Sequence, residues 1–457
     1  FEENKRAAYV RYRLSRSTEG RGALNAPPHH SPSTARVLTH HMVANVLIQS
    51  VWFGISSIMA ILARKRFNAN DWQTLMITAA PPTLLTVSIF WNALLHRTSI
   101  RRYLVINWAC TMLPLTAAAF AQSFWHLLAC FICAAIGAAG WSPVAGDLLR
   151  RFYGDPVRGR AYASINSAMF VGMMVASYAF GRALDVNEDA FRWYFPIATV
   201  ASGLGVIILQ RLDHITGAHK GRSKVVVADR IALRHLVRPL LQLREILRTD
   251  RIFYRYEAAF MTYGVGWMIC NALLPILATD RLKLSYTAFA GATQVIYPLC
   301  MLVMTYPMGW VMDRIGAART SGLSFAWLSL YPLVLMLTHN VTTIGVATVF
   351  YGTAMAGVHL GWMLGPVTLA PSPDRVAQYV AIHTSLVGLR GILAQGVGML
   401  IYRMTDSFTW PFAVAILTFL WASLQMWRLR AAIPFASKLH KAVRPPTDSI
   451  PDIPESP

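Results

Sequence analysis

The sequence predicts an all-α integral membrane protein, with twelve transmembrane helices as two six-helix repeats related by a pseudo-twofold axis along the membrane normal. Three observations carry this. Hydrophobic residue types make up 55% of the 457 residues and charged types only 14%, whereas a soluble globular chain carries about 25% charged residues. The apolar residues gather into long runs of about 20, the length that crosses a hydrocarbon core as a helix. The two halves of the chain also align at a constant offset of 217 residues, which brings Arg64 onto Arg281.

The spans follow one another with polar punctuation. The first, 41–63, ends at Arg64-Lys65-Arg66, and the second is 72–95. Span 103–121 follows the basic turn at Arg97 to Arg102, and 125–148 follows Gln122-Ser123. Span 162–184 begins past Arg150 to Arg160, and 191–210 lies between Asp189 and Arg211. The second half repeats the series as 258–279, 287–312, 320–338, 342–367, 379–401 and 408–427. Many spans contain Gly or Pro, which membrane helices tolerate better than soluble ones. The runs are too long and too continuous for the strands of a transmembrane barrel.

The repeat extends through loops and spans alike. Arg97 matches Arg314, and Pro156, Arg158 and Tyr162 match Pro373, Arg375 and Tyr379. Ile165 matches Ile382, and Gly181 matches Gly398. Phe191, Trp193 and Phe195 match Phe408, Trp410 and Phe412, and Arg211-Leu212 matches Arg428-Leu429. Gly140-Trp141 pairs with Gly361-Trp362 slightly out of step. An even number of spans per half gives both halves one orientation. The expected organisation is a basic cytoplasmic tail (1–40), an N-terminal bundle (41–212), a cytoplasmic linker (213–257), a C-terminal bundle (258–430) and a Pro-rich, disordered cytoplasmic tail (431–457). Within the linker, Ile231 to Ile246 reads either as an amphipathic helix on the inner leaflet or as a solvated linker helix.

The net charge of +21 reads as topology rather than as a nucleic-acid interface. Most Lys and Arg lie in the tails and in the loops after even-numbered spans, the side that the positive-inside rule makes cytoplasmic. Both termini are then inside, in a multi-pass protein expected in a bacterial inner membrane. Arg64-Lys65-Arg66 is an exception that charge counting does not explain. The five cysteines all fall within spans, and Cys130-x-x-Cys133 sits in an apolar helix with no metal or redox context, so they read as small core residues.

The loop between the eighth and ninth spans reads Gly309-Trp310-Val311-Met312-Asp313-Arg314-Ile315-Gly316-Ala317-Ala318-Arg319. It looks like the cytoplasmic signature G-x-x-x-D-R-x-G-x-x-R, and over residues 41–430 the chain resembles the major facilitator superfamily. The first-half copy departs from the pattern: Asn92, His96 and Ser99 replace the first Gly, the Asp and the second Gly, while Arg97 is kept. The resemblance implies a gate formed by Gly309, Asp313, Arg314, Gly316, Arg319 and Arg97. Asp313 could face the start of helix 11, near 376–379, where a carboxylate meets unsatisfied N–H groups and the positive end of the helix dipole. Such a latch would hold an outward-open state. An intraspan Arg in the fourth span and a G-P-x-x-G-G in the fifth, patterns of drug-exporting members, are absent.

The resemblance further implies a central site lined by spans 1, 4, 7 and 10. Asn45, Gln49, Trp52 and Ser56 share one face of span 1. Tyr263, Trp267 and Asn271 do so on span 7, and Tyr351, Met355, His359 and Trp362 on span 10. Polar-aromatic stripes in lipid face protein or water, although helix–helix hydrogen bonding accounts for single residues equally well. Asp147, Glu257 and Asp313 each sit at a cytoplasmic span end, which leaves no carboxylate at mid-membrane depth. His359 and His383 are the candidate proton carriers. Arg390, mid-span, replaces Met173 of the other half, and His383, on the same face, replaces Asn166. An intramembrane Arg usually faces a cavity or a partner. The expectation is an anionic solute bound to Arg390; the alternative is an Arg held by Tyr hydroxyls and backbone carbonyls where helices meet.

The function expected is transport of a small organic solute, anionic if Arg390 anchors it, by alternating access. The alternatives are a proton-coupled exporter of drug-like compounds or a non-transporting sensor on the same scaffold. No enzyme activity, cofactor or metal is implied, and the only partners expected are the solute and the bilayer, with the chain a monomer.

Overall fold

A computed structural model describes residues 34–217, 245–372 and 375–429. Among these residues the chain is helical and contains no strand. The helices are α1 (Thr34–Phe67), α2 (Asp71–Arg97) and α4 (Phe124–Phe152), with α3 (Ile100–Ala118) between the last two. They continue as α5 (Asp155–Val186), α6 (Phe191–Ile215), α7 (Arg251–Arg281) and α8 (Tyr286–Ile315). α9 (Ala317–Leu328, continued by Leu330–Met336) leads to α10 (Val341–Leu369), α11 (Val376–Thr405) and α12 (Thr409–Arg428).

Ten of these helices are long and apolar enough to cross a membrane by length and composition. α3 is short and carries Arg101, Arg102 and Asn107, and α9 is interrupted at Ser329. The outer surface is that of a lipid-immersed protein, with Phe120, Val175, Leu393 and Trp410 among its large exposed apolar side chains.

The polar punctuation acts as capping. Asn70 accepts from the Gln73 N–H at 2.9 Å while the Gln73 side chain accepts from Asn70 N–H, a reciprocal box that starts α2. Asn340 starts α10 in the same way with Thr343, and Ser285 caps α8 through the Ala288 N–H. Gly316, at φ +82°, makes the turn between α8 and α9 in a conformation open to glycine.

Two helix starts differ from the apolar runs. α1 begins at Thr34 rather than 41, and α7 at Arg251 rather than 258, because the helical hydrogen bonding continues through polar residues beyond the hydrocarbon core. Asp250 supports the second by accepting from the Ile252 and Phe253 N–H groups at 3.1 and 2.9 Å. The tail before Thr34, most of the stretch Ile231 to Ile246 and the tail from 430 lie outside the described residues.

Val37, Tyr153, Ala161 and Leu212 pack together, gathering the start of α1, the end of α4, the start of α5 and the end of α6. Ile246, Phe253, Tyr379 and Ile382 gather the starts of α7 and α11. These clusters mark the terminal face. The opposite, far face carries the end of α1, the start of α2 and the end of α7.

Candidate solute cavity and far-face latch

A cavity of about 530 Å³ opens between the first six helices and the last six, within the range of small-molecule sites. α1 contributes Gln49, Trp52, Ser56 and Ser57, α2 contributes Thr78, and α4 contributes Trp141 and Ser142. From the other side come Trp267 and Asn271 of α7, Thr293, Gln294 and Tyr297 of α8, Tyr331 of α9, and Thr348 and Tyr351 of α10. Two π-helical segments aim parts of this wall: Val46–Ser50 carries Gln49, and Ala290–Val295 carries Thr293 and Gln294. An extra residue in the turn rotates the following side chains, and such bulges recur at functional sites. Trp267 Nε1 donates to the Tyr351 hydroxyl at 2.9 Å, which fixes two of the rings. Thr78 donates to Gln395 Oε1 at 2.7 Å, joining α2 to α11 beside the cavity. Among the described residues the lining holds amides, hydroxyls, aromatic rings and aliphatic groups, and no Asp, Glu, Lys, Arg or His.

The structure brings Gln49, Trp52, Trp267 and Asn271 together in this wall. It keeps the other candidate residues out of the lining. Asn45 is buried one turn along α1 toward the terminal face. Asn166 is half-buried and donates to the Tyr162 carbonyl at 3.0 Å. His359 stacks on Trp362 with ring centroids 6.1 Å apart, and Trp362 lies 5.5 Å from the ring of His383.

His383 is buried and its Nδ1 lies 2.8 Å from both Glu257 oxygens. Glu257 lies near the terminal end of α7, as its place in the sequence suggested, yet only 2% of it is exposed, because the carboxylate turns inward onto α11 instead of outward to water. Arg390, 4% exposed, donates from Nη1 to the Phe260 carbonyl and lies over the Tyr263 ring at 5.2 Å. A Cβ at Gly264 would stand 2.0 Å from that guanidinium, so the absent side chain makes the room that Arg390 fills. Arg390 is thus held by a backbone carbonyl and a ring on α7.

Of the signature loop, Asp313 is exposed and Arg314 lies over the Trp310 ring at 3.4 Å. Gly309 faces open space, Gly316 makes the positive-φ turn, and Arg319 is half-buried. Arg97 ends α2 on the terminal face. The first turn of α11 meets a different carboxylate: the Tyr379 hydroxyl donates to Asp250 at 2.8 Å.

The far face carries contacts that sequence reasoning missed. Arg64, its side chain 9% exposed, donates to Asp71 and to Thr74, each at 3.0 Å, and to Thr279 at 3.0 Å, and it is ion-paired with Asp280. Asp71 also accepts from Arg403 at 3.1 Å. Charges of alternating sign therefore link α7, α1, α2 and α11. Next to them Asp185 of α5 accepts from the Tyr286 and Thr287 N–H groups, both at 2.8 Å, at the start of α8. Lys65 lies over the Tyr286 ring at 4.6 Å, and Arg66 pairs with Asp189 at 3.0 Å. The one sequence signal for this cluster was the exceptional run Arg64-Lys65-Arg66.

The sequence profile of the Major Facilitator Superfamily matches residues 42–296, more than half of the chain. No curated protein matches. Among solved structures, the chain is similar to a peptide transporter POT in complex with sulfate, with a TM-score of 0.71 and 13% identity over 86% of this chain and 95% of that one. It is similar to a POT family transporter in complex with 5-aminolevulinic acid, with a TM-score of 0.68 and 13% identity over 86% and 96%. It is also similar to one in complex with a thioalcohol-conjugated peptide, with a TM-score of 0.65 and 14% identity over 86% and 96%. At these identities the likeness shows the fold.

Proposed function

This chain belongs to the major facilitator superfamily, a family of membrane transporters rather than enzymes, and we propose that it carries a small uncharged, hydrogen-bonding organic solute by alternating access. The observation that carries the solute class is the cavity wall, which combines amides, hydroxyls and aromatic rings with no Asp, Glu, Lys, Arg or His among the described residues. An ion taken from water into such a wall loses hydration with no counter-charge to replace it. A neutral molecule with an aromatic or aliphatic body stacks on Trp52 and Trp267 and exchanges its water hydrogen bonds for those of Gln49 and Asn271. This replaces the anionic solute expected around Arg390, whose Nη1 is already engaged by Phe260.

Alternating access needs two faces that close in turn. The Arg64 cluster supports a closed far face in the present state, with the cavity reached from the terminal side. Asp313 is proposed as the opposing latch, formed when the terminal face closes. α3 and α9 are proposed to cross the bilayer with the other ten, as two six-helix repeats about a pseudo-twofold axis. The Lys/Arg asymmetry supports a cytoplasmic terminal face, with both termini inside a bacterial inner membrane.

A thermal-shift panel on the purified full-length protein tests the solute class, using neutral, anionic and cationic compounds of matched size. Stabilisation by neutral members is expected. Stabilisation confined to anions would overturn the reading.

A further inference from the structure

We propose that a second, small cavity inside the first six helices is a polar subsite of the solute cavity, and that it receives one hydroxyl group of the solute on Ser202; this rests on the transporter reading above. The small cavity measures about 20 Å³, room for a single water-sized group. It lies among α1, α3, α4 and α6. Gln49, Trp52, Ala138 and Trp141 line both cavities, so their side chains form the partition between the two.

Ser202 of α6 lines the small cavity and not the large one. It is fully buried, and its Oγ has no hydrogen-bond partner among the described residues. Buried hydroxyls are nearly always hydrogen-bonded, and a helical Ser or Thr can donate to a carbonyl one turn back. One turn earlier on α6, Thr199 does so, donating to the Phe195 carbonyl at 3.0 Å. Ser202 does not, which leaves its hydroxyl to bond a group inside the cavity.

The polar groups around it are held in place. α4 comes close to α3 at Gly137 and Gly140, where a Cβ would collide with the Cys110 backbone and with the Asn107 amide. That approach lets Asn107 Nδ2 donate to the Gly137 carbonyl at 2.7 Å, and Thr111 donates to the Asn107 carbonyl at 2.8 Å. Gln49 enters from the π-helical segment Val46–Ser50. Ile48, Leu104, Met112 and Val206 make the wall otherwise apolar. Among the described residues the lining holds no Asp, Glu, Lys, Arg or His.

This combination selects a hydroxyl. A hydroxyl both donates and accepts, as Ser202 and the side-chain amides do, and its oxygen fills the volume of one water. An ammonium or a carboxylate would find no counter-charge. A methoxyl group has no hydrogen to donate and brings one carbon too many. A solute stacked on Trp52 reaches Ser202 past Gln49, whose side chain turns to admit the hydroxyl. A site built around such a bond rejects the analogue that lacks it, so Ser202 sets specificity from behind the main cavity.

Two measurements on the full-length protein test the subsite. The first is equilibrium binding of phenoxypropanediol and of its terminal methyl ether to the wild type and to Ser202→Ala. Both probes are neutral and carry one ring, and they differ only at the end group. The diol is expected to bind the wild type more tightly than the ether does. Ser202→Ala is expected to weaken the diol about 5–30-fold, as for a lost buried hydrogen bond, and to leave the ether as it was. In the second, Ser202→Cys, in a background with the five native cysteines replaced, is treated with methyl methanethiosulfonate or with a bulky maleimide. Modification of the folded protein by the small reagent alone is expected, and it should be faster when Gln49→Ala is added. A diol that binds no tighter than its ether, a loss in Ser202→Ala shared by both compounds, or a Ser202→Cys thiol that resists the small reagent until the protein unfolds would overturn the subsite. If Ser202→Ala does not fold, unmodified Ser202→Cys replaces it in the binding assay. The compound panel above reads the solute class separately: stabilisation by its neutral members, with diol and ether bound alike, would remove the subsite and leave the transporter reading standing.

Discussion

Arg64 of α1 is ion-paired with Asp280 of α7, so one guanidinium on the far face ties the first six helices to the last six. The same side chain holds Asp71 of α2, and Asp71 reaches Arg403 of α11. A cation on the side that charge counting leaves poor in Lys and Arg is thereby explained: its role is a contact between halves, not an orientation signal. Partly exposed pairs contribute little singly, but here one largely buried guanidinium serves several acceptors, and its loss removes the ion pair of Asp280 and leaves Asp71 with Arg403 alone.

Arg64→Gln is expected to open the far face. The shift is set at about 1–3 kcal/mol, or about 5–150-fold in the closed-to-open ratio. Labelling of Ser56→Cys by an impermeant maleimide applied from the far side of sealed vesicles reads this directly. An unchanged labelling rate in folded Arg64→Gln protein would remove the latch role.

Asp185 caps the first turn of α8 on the same face. Asp185→Ala should lose about 1 kcal/mol of stability in this state. Asp185→Asn keeps an acceptor and should fall between it and the wild type. Thermal melts of the three proteins, with far-side labelling alongside, check that order.

How much of this was readable in the sequence depended on where each residue finds its partners. Composition and span length point to a membrane-embedded helical chain with little room for another answer. Gln49 with Trp52, and Trp267 with Asn271, could be grouped because helical spacing puts each pair on one face, and both pairs meet in one cavity wall. Arg64 could not be read in this way. Asp280 is 216 residues away, and Arg403 is 332 from Asp71, so nothing local announces the cluster. Arg390 was open to two readings for a related reason: its hydrogen-bond acceptor is a backbone carbonyl, which every residue has, and the space for it is an absent side chain at Gly264. Glu257 was placed correctly along its helix, but helical position does not say whether a carboxylate turns toward water or toward α11.

Gly264 and Arg390 should therefore be energetically coupled. Gly264→Ala places a methyl group where the guanidinium lies, and overpacking of this kind is destabilising by about 1–3 kcal/mol. Arg390→Met, a flexible side chain at the same position, should recover part of that loss in the double variant. A double-mutant cycle on melting temperature measures the coupling, and additive effects would show that the two positions are independent.

Asp313 is exposed in this state, so Asp313→Asn should leave the stability of the present conformation unchanged within about 0.5 kcal/mol. If it latches the terminal face in the opposite state, the substitution shifts the population toward the present one and slows transport. Cysteine labelling along the terminal face reports the shift, and unchanged labelling with unchanged transport would dismiss the latch.

The central claim is that solute binds in the uncharged cavity and not at Arg390. Its most direct test is equilibrium binding, to purified Asn271→Ala and Arg390→Met proteins, of the compound that best stabilises the wild type. The account predicts that Asn271→Ala weakens binding about 5–30-fold, the loss of one buried hydrogen bond with its partner left unsatisfied, while folded Arg390→Met binds as the wild type does. Wild-type affinity in Asn271→Ala together with lost binding in folded Arg390→Met would contradict it.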